Sequence, residues 1–331
     1  MSRLSWPALA LVLLALAGCG GEDADITVYS GRQEELVGDL FDDFEEATGI
    51  DVEVRYGDSA ELAATLAEEG DNTPADVFFA QDAGSLGSVA AEGLLRELPQ
   101  ATLDRVEERF RDPDGRWVGT SGRVRVVAYN TEAVSEDELP DSIWDYADPA
   151  WSGRIGFPPT NASFQAMVTS MRLEEGDDRT REWLEAVKAN EPRIYENNVQ
   201  TLEAIAAGEI DVGFVNHYYL YELLDEQPDA PVANHHLAPG DAGALVNVAG
   251  IGIVGTTGQP GMASRLVDYM LGAGQEYFAA ETEEYPLVAG FEPESELPPL
   301  EDLRGPDLEL GTLGPELEAT LELLDSVGLT E

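Results

Sequence analysis

Two adjacent phenols, Tyr218 and Tyr219, are the side chains whose type and spacing best suit a chemical task. A phenol gives or takes a hydrogen bond, offers its face to a cation and, once ionised, is an anionic oxygen donor. The pair lies in the stretch Glu209-Ile-Asp-Val-Gly-Phe-Val-Asn-His-Tyr-Tyr-Leu-Tyr-Glu222. Its apolar run, Ile210 to Val215, predicts a buried strand, and Asn216 a helix N-cap. Inside a strand, two neighbouring side chains point to opposite faces. At a strand-to-helix junction both can turn towards one cleft, beside the free N–H groups of the first helical turn.

The elements that must place this junction follow from periodicity. Ile26 to Ser30 alternates as a strand, Leu36, Leu40, Phe41 and Phe44 recur at helical spacing, and Gly49 is a C-cap. Ile50, Val52 and Val54 make a second strand, Leu62 and Leu66 a second helix closed by Gly70, and Pro74 to Phe79 a third strand. This alternation predicts an α/β architecture with a mostly parallel sheet and right-handed crossovers. Ligands of such sheets lie outside the carboxyl ends of the strands, here Ser30-Gly-Arg32-Gln33 and Gln81-Asp82. Leu103 to Phe110 reads as a helix, and Ser121 to Asn130 as a long strand crossing into a second lobe. Val246 to Val254 reads as a buried strand returning to the first, and Leu317 to Leu324 as an amphipathic terminal helix.

Ahead of this pattern, Ala8 to Ala17 is an apolar run of signal-peptide length, too short to span a bilayer. It ends in Leu16-Ala-Gly-Cys19, which looks like a bacterial lipobox with Cys19 as the lipidated residue. Cys19 is the only cysteine, so an intramolecular disulfide and a multi-cysteine metal site are both excluded. The chain carries 66 acidic against 18 basic residues, a formal charge of −48. Such a surface repels nucleic acid and anionic lipid. Acid is spread along the whole chain, which suits a saline environment where solvated carboxylates keep a protein soluble. Dialysis to near-zero salt is then expected to lower the melting temperature; an unchanged melting temperature and solubility would refute that explanation.

Several further stretches carry a family likeness. They are Ile26-Thr-Val-Tyr-Ser-Gly31, Glu69-Gly-Asp-Asn-Thr-Pro-Ala-Asp-Val-Phe-Phe79, Ser121-Gly-Arg-Val-Arg-Val-Val-Ala-Tyr129, Trp151-Ser-Gly-Arg-Ile-Gly156, Asn216-His-Tyr-Tyr-Leu-Tyr221 and Glu284-Tyr-Pro-Leu287. In this order the chain resembles the ferric-iron-binding lipoproteins and periplasmic proteins that serve ABC importers. The resemblance implies a two-lobed, periplasmic-binding-protein-like α/β fold with mixed, mostly parallel sheets, hinged about one ligand. It places residues 25–125 with 249–299 in one lobe and 126–248 with 300–331 in the other, after a signal peptide 1–18 and a tether 19–24. It implies Fe³⁺ as the transported ligand on Tyr218 and Tyr219, an ABC permease as partner, and a carbonate or phosphate completing the metal sphere. The anion's contacts would be Asn161, Ala162 and Ser163 at a helix start, with Asn198 and Asn216. Arg32, Arg123 and Arg125 are scarce cations, any of which could hold that anion bidentately. Where many relatives carry a histidine and a glutamate, this sequence has Gln33 and Gln81, both weak ferric ligands that would line the cleft.

Other readings stand beside this one. Tyr221 shares a helix face with Tyr218 and is a supporting residue or a further ligand. His217 is expected to point away from the pair, in a surface or capping role, and His235-His236 lacks the spacing of a zinc pair. The chain has no Gly-x-Ser-x-Gly, Walker loop or zincin motif, so an enzyme is the weakest class. The alternative is the same architecture binding a phosphonate, another organic anion or a polyamine; a cell-surface adhesion protein is a third class.

Overall fold

The computed structural model describes residues 24–293 and 297–330, so the lipobox and Cys19 lie outside the described residues. Strands β1 (Ile26–Ser30), β2 (Val52–Tyr56) and β3 (Val77–Ala80) alternate with helices α1 (Glu34–Thr48), α2 (Ser59–Glu69) and α3 (Ala83–Ala91). Gly49 ends α1 at φ 68°, its N–H on the Glu45 carbonyl, the left-handed cap that glycine adopts without a Cβ clash. The expected helix over Leu103 to Phe110 is instead a four-residue α4 (Gln100–Leu103) and a separate 3₁₀ turn, Glu108–Phe110. Between them Val106 bridges to Val288, so a tertiary contact interrupts the apolar periodicity.

The long strand β4 (Trp117–Asn130) is buried throughout and joins the two halves. β5 (Ile155–Phe157), α5 (Ala162–Glu175), α6 (Asp177–Ala189), β6 (Arg193–Ile194), α7 (Asn198–Ala206) and β7 (Val212–Asn216) follow it. α8 (Tyr219–Glu226), β8 (Val232–His235), β9 (Val246–Ile253), α9 (Pro260–Met270), α10 (Gly274–Glu281), β10 (Tyr285–Pro286) and α11 (Leu317–Val327) complete the chain. The sheet runs β2-β1-β3-β9-β4-β7-β5-β6, with β8 and β10 also on β4. Its outer strands pair in parallel, and the pairs made by β4 are antiparallel. Along β4 the partners change: Trp117 to Val124 pair with β9, whereas Arg125 to Asn130 pair with β7 and β8. Strand residues two apart share a face. Ser121, Arg123 and Arg125 therefore look the same way at the changeover between halves.

There are two apolar interiors. The first is built on β1, β3, β4 and β9 with Phe41, Phe44, Phe78 and Trp117, and also takes in Leu202, Ile205 and Leu220 of α7 and α8; the second is built on Phe157, Phe164, Phe214 and Trp183. Phe157 and Phe164 stack at 4.8 Å, and Leu323 and Leu324 of α11 belong to this second interior. The stretch before α11 does not: residues 310–314 lie on α3, so close that a Cβ on Gly87 would run into the Gly311 backbone. Of the 300–331 stretch expected with the second lobe, Leu323, Leu324, Val327 and Leu329 join its interior, whereas Leu303, Leu310 and Leu313 join the first.

Candidate metal centre

β7 delivers the tyrosines. Its five residues are buried, and pairing of Asn216 with Arg125 carries the strand one residue further than a cap at Asn216 would allow. Tyr218 therefore occupies the N-cap position with helical backbone angles and no side-chain cap, and α8 begins at Tyr219. This corrects the expected cap. The two rings lie 4.3 Å apart at 36°, so both phenols are presented together. Tyr218 is buried and Tyr219 partly so. Burial, and then the neighbouring Tyr219, push the Tyr218 phenol well above its ordinary range, while Arg123 pulls it down. Without a cation the phenol keeps its proton at neutral pH.

His217 sets this junction in place, and the surface role expected for it is wrong: it is fully buried. Its Nδ1 accepts from the Val124 N–H at 3.2 Å, so Nε2 carries the proton and donates to the Glu283 carbonyl at 3.0 Å. Its own carbonyl accepts from Asn234 at 2.8 Å, and its ring lies against Tyr218 and Tyr285. Burial holds the imidazole down at about 4. An unfolded histidine takes its proton near 6.5, so this group weakens the fold as pH falls from about 6.5 to 4, by up to about 3 kcal/mol. Denaturation of the metal-free protein across that range should show a shallower loss in His217→Gln than in wild type. Equal slopes would remove His217 as the cause.

Beside the phenols, Arg125 donates to Asn216 and Asn198 at 3.1 and 3.3 Å and to the Phe214 carbonyl at 2.7 Å. Burial pushes its guanidinium down to about 9, which leaves it charged at neutral pH, and both tyrosines act to raise it. Asn216 in turn donates to Ser163 Oγ at 3.1 Å, and Asn198 to Asn161 at 3.2 Å. Asn161 caps α5 by accepting from the Ser163 N–H. The five expected anion contacts, Asn161, Ala162, Ser163, Asn198 and Asn216, thus gather at one helix start. Arg125 organises them by contacting two of the asparagines.

Arg123 faces the same region and lines, with Ala162 and Ser163, a chamber of about 360 Å³ between α2, α3 and α5. Its guanidinium donates to the Gln81 carbonyl, and the Gln81 amide, oriented by its neighbours, accepts from Arg123 at 3.2 Å. Gln81 lines the chamber as expected; Gln33 does not. Gln33 is the exposed residue ahead of α1 and lines an adjoining groove with Tyr56 and Gly57, which meets the chamber at Asp58 and Gln81. Arg32, expected as a possible anion clamp, is buried and donates to both oxygens of Glu284 at 3.0 Å. That commitment takes it away from an anion. Tyr221 is partly buried and near enough to Tyr285 to raise its phenol further.

Glu284 and Ser121 are the site residues that the sequence did not single out. Glu284 is buried, accepting from Arg32 and from Ser121 Oγ at 2.5 Å, with Arg123 Nε 3.8 Å away. Burial alone would raise its carboxyl, but Arg32 and Arg123 together hold it below the usual range. In a chain with 66 acids no single glutamate stands out. The detectable signal was its place in the Glu-Tyr-Pro-Leu stretch. Among the described residues there is no cluster of three or more His, Cys, Asp or Glu suited to a metal.

The chain belongs to the bacterial extracellular solute-binding protein family, whose model matches residues 72–304. That is a family of binding proteins, not enzymes. Over 97% of its length the chain is 32% identical to the "Fe(3+)-binding periplasmic protein" of Serratia marcescens, covering 96% of that relative. It is equally identical to the "Major ferric iron-binding protein" of Neisseria meningitidis, covering 98% of it. Among solved structures it superposes on iron-bound HitA from Pseudomonas aeruginosa with TM-score 0.84 and 34% identity, over 92% of this chain and all of that one. It also matches Trichodesmium IdiA (FutA) "in complex with iron and citrate ligands", with TM-score 0.82 and 29% identity, over 92% and 99% of the two chains.

Proposed function

We propose that this chain captures ferric iron outside the cytoplasmic membrane and passes it to an ABC permease, with Tyr218 and Tyr219 as the phenolate ligands. The observation that carries this reading is the side-by-side pair of phenols at the changeover of β4, where no cluster of other anionic donors competes among the described residues. Fe³⁺ is small, hard and triply charged, and a phenolate is a hard anionic oxygen donor. Two phenolates leave one positive charge and open coordination positions, which an oxyanion such as carbonate or phosphate fills from the start of α5 and Arg123. Tyr221 is a supporting residue of the pair, and Gln81 supports Arg123. Residues 25–125 with 249–299, and 126–248 with the C-terminal stretch from Leu317, close on the ligand as two lobes.

Anchoring through a lipid on Cys19 belongs to the same proposal. Among the described residues no helix is long and apolar enough to cross a membrane.

A ferric chelate added to the purified protein should give a visible phenolate-to-iron charge-transfer band. Each phenol loses a proton on binding, so affinity falls on acidification, by up to about a hundredfold per pH unit for two protons. A protein that stays colourless and shows no ferric affinity at neutral pH sinks the reading.

A further inference from the structure

The chain passes between its two halves in the helix layer as well as in the sheet. β4 and the approach to β9 cross side by side, the Arg125 N–H donating to the Leu245 carbonyl at 2.9 Å. Two neighbouring strands make a hinge that bends. The passage in the helix layer comes late in the chain: Leu310 and Leu313 belong to the first interior, Leu323 and Leu324 to the second.

Both ends of this passage are fastened. On the first half, Gly84-Ser-Leu-Gly87 of α3 meets Gly311-Thr-Leu-Gly314 backbone on backbone. A Cβ at Gly84 would stand 2.7 Å from the Gly314 nitrogen, and one at Gly314 would run into the Gly84 carbonyl. Only glycine permits that approach. On the second half, the buried Arg172 of α5 donates to the Glu316 carbonyl and to Thr320 Oγ1, both at 2.9 Å. Thr320 Oγ1 also lies 2.7 Å from Thr169 Oγ1 of α5. Pro315 alone separates the two fastenings. From Gly314 to Glu316 the chain can span at most about 7 Å. The turn that returns the Leu317 N–H to the Gly314 carbonyl at 3.1 Å takes up part of that reach.

We propose that residues 311–316 are a strap that limits how far α5 can swing from α3, so that the empty cleft stays near its closed form and the cargo is held more tightly. This rests on the two-lobe closure proposed above. The strap works because of where it lies. The chamber fills the gap between α2, α3 and α5, and Leu313, Gly314 and Leu317 line it. A tie within the sheet would add little to the hinge already there. One placed a helix layer away resists the bend that parts the helices. The apparent dissociation constant is the intrinsic one divided by the fraction of binding-competent protein, so removing wide-open states raises affinity without any new contact to the cargo.

The test inserts Gly-Ser-Gly-Ser between Gly314 and the exposed Pro315 of the full-length protein. The tie becomes about three times longer, for which chain-closure scaling gives about a fivefold loss of ferric affinity. Small-angle scattering should show the metal-free variant more open than wild type and the iron-loaded forms alike. The charge-transfer band should keep its wavelength, since no ligand is touched. The same insertion between Gly258 and Gln259, in the exposed loop from β9 to α9 with both flanks in the first interior, should change none of these. Arg172→Met frees the strap at its other end and should repeat the opening and the loss; it decides the matter if circular dichroism shows the lengthened chain unfolded. Wild-type scattering and affinity in a folded variant of either kind overturn the proposal, as does an equal loss from the control insertion. The two readings fail separately. If wild type gives no iron band, the ferric reading falls, and scattering of the metal-free proteins still tests the strap.

Discussion

Tyr218→Phe and Tyr219→Phe each weaken ferric binding by about a hundredfold or more, and the double variant is colourless. The size follows from what is removed. Changes to groups that merely orient metal ligands cost about 10–100-fold, and here an anionic donor itself is lost, with no carboxylate cluster among the described residues to replace it. Phenylalanine keeps the ring, so the 4.3 Å contact within the pair and the packing of Tyr218 on His217 survive. The fold should therefore be unaffected, and the loss is assigned to the oxygen. Competition with a chelator of known affinity, read at the charge-transfer band, measures it. Tyr269→Phe, packed against Phe44 in the first interior, is the control and should bind as wild type. A double variant that still competes for iron like wild type would show that the ligands lie elsewhere.

Glu284→Gln is expected to be the most destabilising single change near the site. Glu284 is 2% exposed, and Arg32 and Arg123 lie on it with side chains 1% and 4% exposed. Breaking a buried pair leaves an uncompensated charge and costs about 3–5 kcal/mol. In a chain of this size that lowers the melting temperature by roughly 10 °C. The amide keeps the shape and can still accept one hydrogen bond, so the cost reports the charge more than the packing. Thermal unfolding of metal-free protein checks it. A variant as stable as wild type would mean that Glu284 carries no structural charge.

Much of the frame was legible in residue order because it is local. The alternation of Ile26 to Ser30, the helical spacing from Leu36 to Phe44 and the glycine at 49 act within a few residues, and β1 and α1 follow them. The junction that presents the tyrosine pair was legible for the same reason, down to both rings turning together. The helix expected over Leu103 to Phe110 failed where Val106 answers to Val288, a partner far along the chain. The cap expected at Asn216 failed where pairing with Arg125 extends β7.

Residue order thus determined the α/β architecture, the acidic surface and the two phenols at a strand end, each a matter of composition or short-range periodicity. Tertiary structure alone decided how the scarce arginines are spent. Arg32 is committed to both oxygens of Glu284 across 252 residues of sequence, whereas Arg123 reaches Glu284 only at 3.8 Å, donates to Gln81 and lines the chamber. A charged side chain looks the same in any sequence, and whether it is free or neutralised depends on which distant group the fold brings within about 4 Å.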